Sequence, residues 1–107
     1  MNLQITFRDF EGSGANQTYV EKRAARALAP YDRAISTRVV VARPHHHHHQ
    51  GSSFRVTIHV LLPGEEIVVS PRDGASGHTD FHAAIDDAFD DLERQLRDHA
   101  GKRTRSA

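Results

Sequence analysis

FRVTIHVLLPGEEIVVS, residues 54–70, carries the clearest fold signal in this 107-residue chain. Apolar side chains occupy positions 54, 56, 58 and 60, and polar ones occupy 55, 57 and 59, which is the period of a strand with one buried face. Pro63-Gly64 is a turn signal, and residues 65–70 return as a further strand. The stretch therefore predicts a β-hairpin whose apolar face has to pack against a second layer.

Two further strands are predicted on the N-terminal side of this hairpin. Residues 2–8, NLQITFR, alternate between apolar and polar side chains in the same way. Residues 35–43, ISTRVVVAR, are rich in β-branched side chains, which favour strands. The sequence thus predicts four strands, over residues 2–8, 35–43, 54–62 and 65–70.

Two amphipathic helices are predicted, one after the first strand and one after the last. In the first helix Ser13 is the candidate N-cap, Pro30 ends the helix or distorts its last turn, and the apolar stripe is Val20, Ala24, Ala27, Leu28 and Tyr31. In the second helix Thr79 or Asp80 is the N-cap, and the stripe is Phe81, Ile85, Ala88, Leu92, Leu96 and His99. A glycine-rich loop over residues 72–78 precedes the second helix.

The element order β-α-β-β-β-α predicts an α+β fold, a two-layer sandwich in which both helices cover one face of a four-stranded sheet. The first helix can serve as a crossover, so the first two strands are predicted to be parallel and the sheet order to follow the sequence. We expect one domain over residues 1–100 and a basic, disordered tail over residues 101–107. The predicted core comprises Leu3, Ile5, Phe7, Val20, Leu28, Val39, Val41, Phe54, Val56, Ile58, Ile67, Val69, Phe81, Ile85, Leu92 and Leu96.

The composition excludes several kinds of site and indicates where charged partners could bind. The chain has no cysteine, which excludes disulfides and thiolate zinc sites, and no apolar run approaches the ~20 residues of a membrane-spanning helix. Its N-terminus lacks a secretory leader, so the cytoplasm is the expected location.

The net charge of zero is unevenly distributed along the chain. Residues 1–60 hold eight basic and four acidic side chains, residues 61–93 hold one basic and nine acidic, and residues 94–107 hold five basic and one acidic. Such segregation predicts a basic surface that could meet phosphates beside an acidic surface that would repel them.

Four segments in this order resemble the ribosome hibernation-promoting factor and ribosome-associated inhibitor family. They are LQITFRDFE at residues 3–11, YVEKRAARALAPYDR at 19–33, the hairpin at 54–70, and HAAIDDAFDDLERQL at 82–96. The insert PHHHHHQG at residues 44–51 is similar to a subgroup of that family. The resemblance extends over almost the whole chain.

The resemblance implies a fold like that of double-stranded-RNA-binding domains and a translation inhibitor that occupies the tRNA and mRNA channel of the small ribosomal subunit in stressed bacteria. Its partner would be ribosomal RNA; no cofactor, small-molecule substrate, membrane or catalytic activity is implied. In the family, basic residues on both helices make the contact. The matching positions in this chain, and hence the predicted RNA-binding residues, are Lys22, Arg23, Arg26, Arg94 and Arg97.

The final helix departs from the family pattern. Relatives typically place a basic residue after the aspartate of this helix, where the chain has Asp90-Asp91, and often another at the position of Asp98. Phosphate repels these carboxylates, and phosphate contacts supply much of the affinity for RNA. Two hypotheses remain open: a ribosome-binding hibernation factor, or a diverged paralogue whose acidic C-terminal helix engages a protein and retains little RNA affinity.

Five consecutive histidines, residues 45–49, are the most conspicuous composition bias. Imidazole is a frequent ligand of zinc, copper and nickel, so His45, His47 and His49 are the candidate metal ligands. However, neighbouring side chains of an extended loop point in opposite directions, and no carboxylate or thiol lies within the run to complete a site. We therefore predict a polar loop that gains charge near pH ~6 and not a metal centre.

Overall fold

The computed structural model describes residues 2–43, 53–71 and 80–106, with side chains described through residue 101. The elements are β1 (Asn2–Arg8), α1 (Gly14–Leu28), β2 (Ser36–Ala42), β3 (Arg55–Leu62), β4 (Glu65–Val69) and α2 (Phe81–Ser106). The four strands coincide with the predicted segments to within one residue at each end. The predicted polar loop at His45–His49 and the predicted glycine-rich loop at residues 72–78 lie outside the described residues.

The sheet has the predicted order β1-β2-β3-β4. β1 is parallel to β2, and the β2–β3 and β3–β4 pairs are antiparallel. Helix α1 is therefore the crossover between the two parallel strands. The hairpin closes through Pro63-Gly64, where Gly64 has φ of 75°, the left-handed conformation that a type II turn requires at this position and that glycine adopts without a steric penalty.

Both helices pack on one face of the sheet, as predicted. The buried core residues are Val20, Ala24, Ala27, Leu28, Val39, Val41, Val56, Ile58, Val60, Leu62, Ile67, Val69, Phe81, Ala84, Ile85, Phe89, Leu92 and Leu96. Of the predicted core, Leu3, Ile5, Phe7 and Phe54 are only partly buried. The first three lie on β1, an edge strand, so only one neighbouring strand covers them.

An aromatic cluster closes one end of the sandwich. Phe7, Phe10, Phe54 and Phe81 have ring centroids 5.2–6.3 Å apart, several of them in edge-to-face arrangements. Gly12 lies directly against this cluster, because a Cβ placed on it would come within 2.2 Å of the Phe7 ring. The glycine thus allows the segment between β1 and α1 to pass over the ring.

The helix ends follow the predicted capping chemistry on the N-terminal side. Ser13 Oγ accepts a hydrogen bond from the Asn16 amide at 3.0 Å, and Asp80 Oδ2 accepts one from the Ala83 amide at 2.9 Å. Helix α1 ends at Leu28, two residues before Pro30.

At its C-terminal end, helix α2 is longer than the sequence predicted. It continues through Ser106, so residues 101–106 extend the helix instead of forming the predicted disordered tail. A single glycine in a helix costs only about 1 kcal/mol relative to alanine, and cations near a helix C-terminus interact favourably with its dipole, so Gly101 does not end α2. Within the described ranges, neither helix is long and apolar enough to cross a membrane.

Candidate nucleic-acid interface

The outer side of α1 presents two of the three cations predicted on it. Lys22 and Arg26 are exposed, and their spacing of four residues places them on one face of the helix. In the part of the chain that the structure describes, neither has an ion-pair partner. These two side chains are available to an anionic ligand.

Arg23 is buried between the two helices, with only 3% of its side chain exposed. Its Nη1 donates a hydrogen bond to Glu93 Oε2 at 2.8 Å, and its Nη2 donates one to Asp90 Oδ1 at 2.7 Å. Its Nε lies 3.6 Å from Asp86 Oδ1 and has no hydrogen-bond partner. The guanidinium carbon lies 5.5 Å from the centroid of the fully buried Phe89 ring, a cation–π distance.

The electrostatics of Arg23 follow from this environment. Burial by itself would lower the pKa of Arg23, because it disfavours the charged form, but the hydrogen bonds and charges of Glu93 and Asp90 outweigh burial and raise that pKa. The guanidinium is therefore charged and already engaged by carboxylates. The prediction that Arg23 contacts RNA has to be corrected, because this side chain joins α1 to α2 and offers no free face to a phosphate.

Tyr19 extends the same contact by one helical turn. Its hydroxyl donates a hydrogen bond of 2.7 Å to Asp86 Oδ1, the carboxylate that also faces Arg23 Nε. This hydrogen bond, then burial, then the negative charge of Asp86 raise the pKa of Tyr19 above its ordinary value of 10.0. The Tyr19 ring also lies 4.2 Å from that of His82, centroid to centroid. Polar contacts from α1 therefore fix its position along α2.

Helix α2 supplies the other two predicted cations, in an acidic setting. Arg94 is 56% exposed and forms an ion pair with Asp91. Arg97 is exposed, and the next residue, Asp98, is exposed as well. The structure thus places Lys22, Arg26, Arg94 and Arg97 on the outside of the helical layer, and Arg94 shares its charge with a carboxylate.

Sequence reasoning missed the acidic partners of Arg23, although the spacing contained a signal for them. Positions 20, 23, 24, 27 and 28 follow the i, i+3, i+4, i+7, i+8 pattern of a buried helix face, so Arg23 lies on the packed side of α1. On α2, Asp86, Asp90 and Glu93 follow the spacing i, i+4, i+7 of a single stripe. A buried arginine opposite an acidic stripe indicates an interhelical ion pair.

The candidate metal ligands His45, His47 and His49 lie outside the described residues. Among residues 2–43, 53–71 and 80–101, no group of three histidine or carboxylate side chains is arranged to hold a metal ion.

Comparison with known proteins gives consistent results. Residues 3–104 match the family model described as "Sigma 54 modulation protein / S30EA ribosomal protein". Two curated relatives, each named ribosome hibernation promoting factor, match over 102 residues, which is 95% of this chain. The protein from Azotobacter vinelandii is 29% identical and is covered to 85%; that from Pseudomonas putida is 26% identical and is covered to 89%.

Two solved structures have the same fold. The N-terminal domain of Thermus thermophilus Protein Y is 30% identical, with a TM-score of 0.71 over 92% of this chain and 99% of that domain. A ribosomal subunit interface protein from Coxiella burnetii superposes with a TM-score of 0.77 over 94% of this chain and 99% of that one, at 21% identity. The second likeness concerns the fold alone.

Proposed function

Since the chain belongs to the sigma 54 modulation protein / S30EA ribosomal protein family, we propose that it binds the ribosome as a hibernation factor and silences translation. The observation that carries the proposal is the match of residues 3–104 to this family, together with relatives named ribosome hibernation promoting factor that align over 95% of the chain. The proposed partner is the small ribosomal subunit, the proposed mode of action is occlusion of the tRNA and mRNA channel, and the proposed location is the cytoplasm.

The proposed mechanism is non-catalytic and depends on shape and charge. Lys22 and Arg26 on α1 and Arg94 and Arg97 on α2 are exposed cations that can bind phosphate oxygens of ribosomal RNA. Such contacts position a protein on RNA without reading its sequence. Because each contact with a phosphate releases condensed counterions, affinity should fall steeply as salt concentration rises.

Co-sedimentation with ribosomes on sucrose gradients tests this proposal directly. We expect the wild-type protein to sediment with small subunits at low salt and to be released as salt is raised. Arg26→Glu should weaken binding about tenfold, which corresponds to ~1.4 kcal/mol. Arg33→Glu is the matched control, because Arg33 is exposed in the connection between α1 and β2 and carries none of the proposed contacts. Inhibition of translation in vitro, and displacement of labelled tRNA, should follow the same order of variants.

A second candidate function is favoured by the acidic side of α2. Asp87, Asp90 and Asp98 are exposed on this helix, and such a surface suits a basic protein partner. This hypothesis makes the chain a diverged paralogue that acts through protein contacts. It predicts that Asp98→Lys abolishes partner binding while Arg26→Glu leaves it unchanged, the reverse of the result expected for ribosomal RNA.

A further inference from the structure

The face of the sheet that points away from the helices carries its own cationic surface. The strand register places its outward side chains in rows: Gln4, Arg38 and His59 form one, Thr6, Val40 and Thr57 the next, and Arg8, Ala42 and Arg55 the third. We call these nine residues the open sheet face. Alternate residues of a strand point to opposite faces of the sheet. Arg8, Arg38 and Arg55 all belong to the outward rows, so all three point away from the core.

The middle of the open sheet face is a polar depression. A shallow cavity of about 420 Å³ is lined by Gln4, Thr6, Arg8, Arg38, Val40, Thr57 and His59. None of these residues is a carboxylate. Two threonine hydroxyls and one glutamine amide add hydrogen-bond donors beside the guanidinium groups, and such groups commonly bind phosphate oxygens.

Two arginines of this face resemble Lys22 and Arg26 of α1 in having no carboxylate partner among the described residues. Within the described ranges, neither Arg8 nor Arg38 has a carboxylate partner. On the same side of the sheet, Glu66 Oε2 lies 3.6 Å from His59 Nδ1. Arg23 and Arg94 of the helices, by contrast, both lie within ion-pair distance of aspartate.

The spacing of the arginines suits a polyanion better than a small anion. Arg8 and Arg55 flank Ala42 across β2, so their backbones are two strand spacings apart, or ~9.6 Å. Arg38 on β2 pairs with Gln4 on β1. Gln4 and Arg8 are four residues apart, so Arg38 and Arg8 are separated by ~13 Å along the strand direction. Since strand side chains stand roughly perpendicular to the sheet, the guanidinium groups remain separated. Cations separated in this way on a shallow surface can each contact a different phosphate of a nucleic-acid backbone.

We propose that the open sheet face is a second RNA-binding surface, on which Arg8 and Arg38 contact the phosphodiester backbone of ribosomal RNA. This inference rests on the proposed function and adds to it a contact on the side opposite the helices. The domain is then held between two RNA segments, one on each layer. The face has no aromatic side chain apart from the His59 imidazole, so it positions the protein and does not stack on several bases.

Binding to purified small ribosomal subunits over a series of salt concentrations tests the proposal. We expect Arg38→Glu to weaken binding roughly tenfold, and to reduce the slope of log affinity against log salt by about one, the value for a lost phosphate contact. Arg8→Glu should behave in the same way, and Arg38→Lys should retain most of the affinity because phosphate contact needs mainly the charge. Arg33→Glu, which makes the same charge change outside both surfaces, should change affinity less than twofold.

The outcomes separate this proposal from the function on which it rests. If Arg26→Glu weakens binding but Arg8→Glu and Arg38→Glu bind as the wild type does, the ribosome-binding function stands and the sheet proposal is overturned. If the wild-type protein does not bind ribosomes, both fail. A photo-crosslinking residue in place of Thr57, in the middle row of the face, identifies the partner. A ribonuclease-sensitive adduct supports RNA, and an adduct with a ribosomal protein overturns it.

Discussion

The two layers of this sandwich use their charges in different ways. The helical layer contains most of the cations that the sequence singles out, yet Arg23 is buried among carboxylates and Arg94 is paired with Asp91. The open sheet face has fewer cations, and two of them, Arg8 and Arg38, lie without a carboxylate partner in the part of the chain that the structure describes. The number of basic residues on an element therefore does not measure the charge that the element offers to a ligand.

The physical origin of the difference is packing. Helices α1 and α2 lie against each other, so residues on their flanks meet and long side chains of opposite charge can pair across the boundary. The outward side of the sheet packs against no other element among the described residues. Its three arginines are exposed to water, where ion pairs contribute little to stability.

Substitution of Arg23 should change the free energy of unfolding more than any other substitution considered, if this residue belongs to the helical core. Arg23→Met should lower the free energy of unfolding by about 2–3 kcal/mol, because three carboxylates lose the cation they face. The loss is smaller than for a fully buried pair, since Asp90 and Asp86 are 70% and 44% exposed and water can hydrate them. Arg26→Met, an exposed site one turn away, should change stability by less than ~0.5 kcal/mol in the same urea titration. Equal stability of the two variants would contradict the contrast between a packed and a free cation.

The neighbouring residues Asp90 and Asp91 of α2 are expected to differ in role, because the first pairs with buried Arg23 and the second with exposed Arg94. Asp91→Lys should tighten ribosome binding by up to ~1 kcal/mol, because it frees the exposed Arg94 from its ion pair and replaces the negative charge beside it with a positive one. Asp90→Lys should instead lower stability by about 1–2 kcal/mol, because it removes a hydrogen-bond acceptor from buried Arg23 and adds a like charge beside it. Equilibrium binding to small subunits and urea unfolding of both variants provide the two measurements. If the two substitutions have the same effect, it is incorrect that Asp90 acts mainly on stability and Asp91 mainly on binding.

The smallest expected effect concerns Tyr19 and the pH dependence of the interhelical contact. Its pKa is raised above 10.0, so the folded state holds the phenolic proton more tightly than the unfolded state. The resulting stabilisation is fully present below pH ~10 and is lost as pH rises through the folded-state pKa. Tyr31→Phe leaves Tyr19 as the sole tyrosine, and its tyrosinate absorbance should titrate with a midpoint above 10.0. In that background Asp86→Asn should bring the midpoint closer to 10.0, and an unchanged midpoint would contradict the assigned cause.

The fold was predictable because the apolar side chains of its strands and helices recur with the spacing typical of each element. The hairpin at 54–70, the crossover through α1 and the N-caps Ser13 and Asp80 all follow from local patterns whose physical basis is short-range. The extent of α2 was not predictable in the same way. The small, basic composition of residues 101–107 predicts a disordered tail, whereas the cost of one glycine, Gly101, is too small to stop a long helix.

The candidate site was predicted less well, because surface charge depends on what packs nearby. Lys22 and Arg26 were placed correctly on the outside of α1, and Arg23 was not, since counting only apolar residues conceals that position 23 completes the buried stripe. Phe89, which lies under the guanidinium, was also omitted from the predicted core, although its spacing of four residues from Ile85 places it on the buried side of α2. The open sheet face depends on strand register, which brings Arg8, Arg38 and Arg55 onto one side of the sheet only after folding.

The separation of cations on the sheet from carboxylates on α2 also has a consequence for diffusional encounter. With a formal net charge of zero, the protein feels little long-range pull toward a polyanion. Screening at physiological ionic strength confines each surface to a range of ~8 Å, so attraction and repulsion act only in the last stage of approach. There the phosphates repel the carboxylates of α2 and attract the exposed cations of the sheet and of α1. The asymmetry therefore exerts a torque that orients the protein during the last stage of its approach, and this orientation raises the rate of productive encounters.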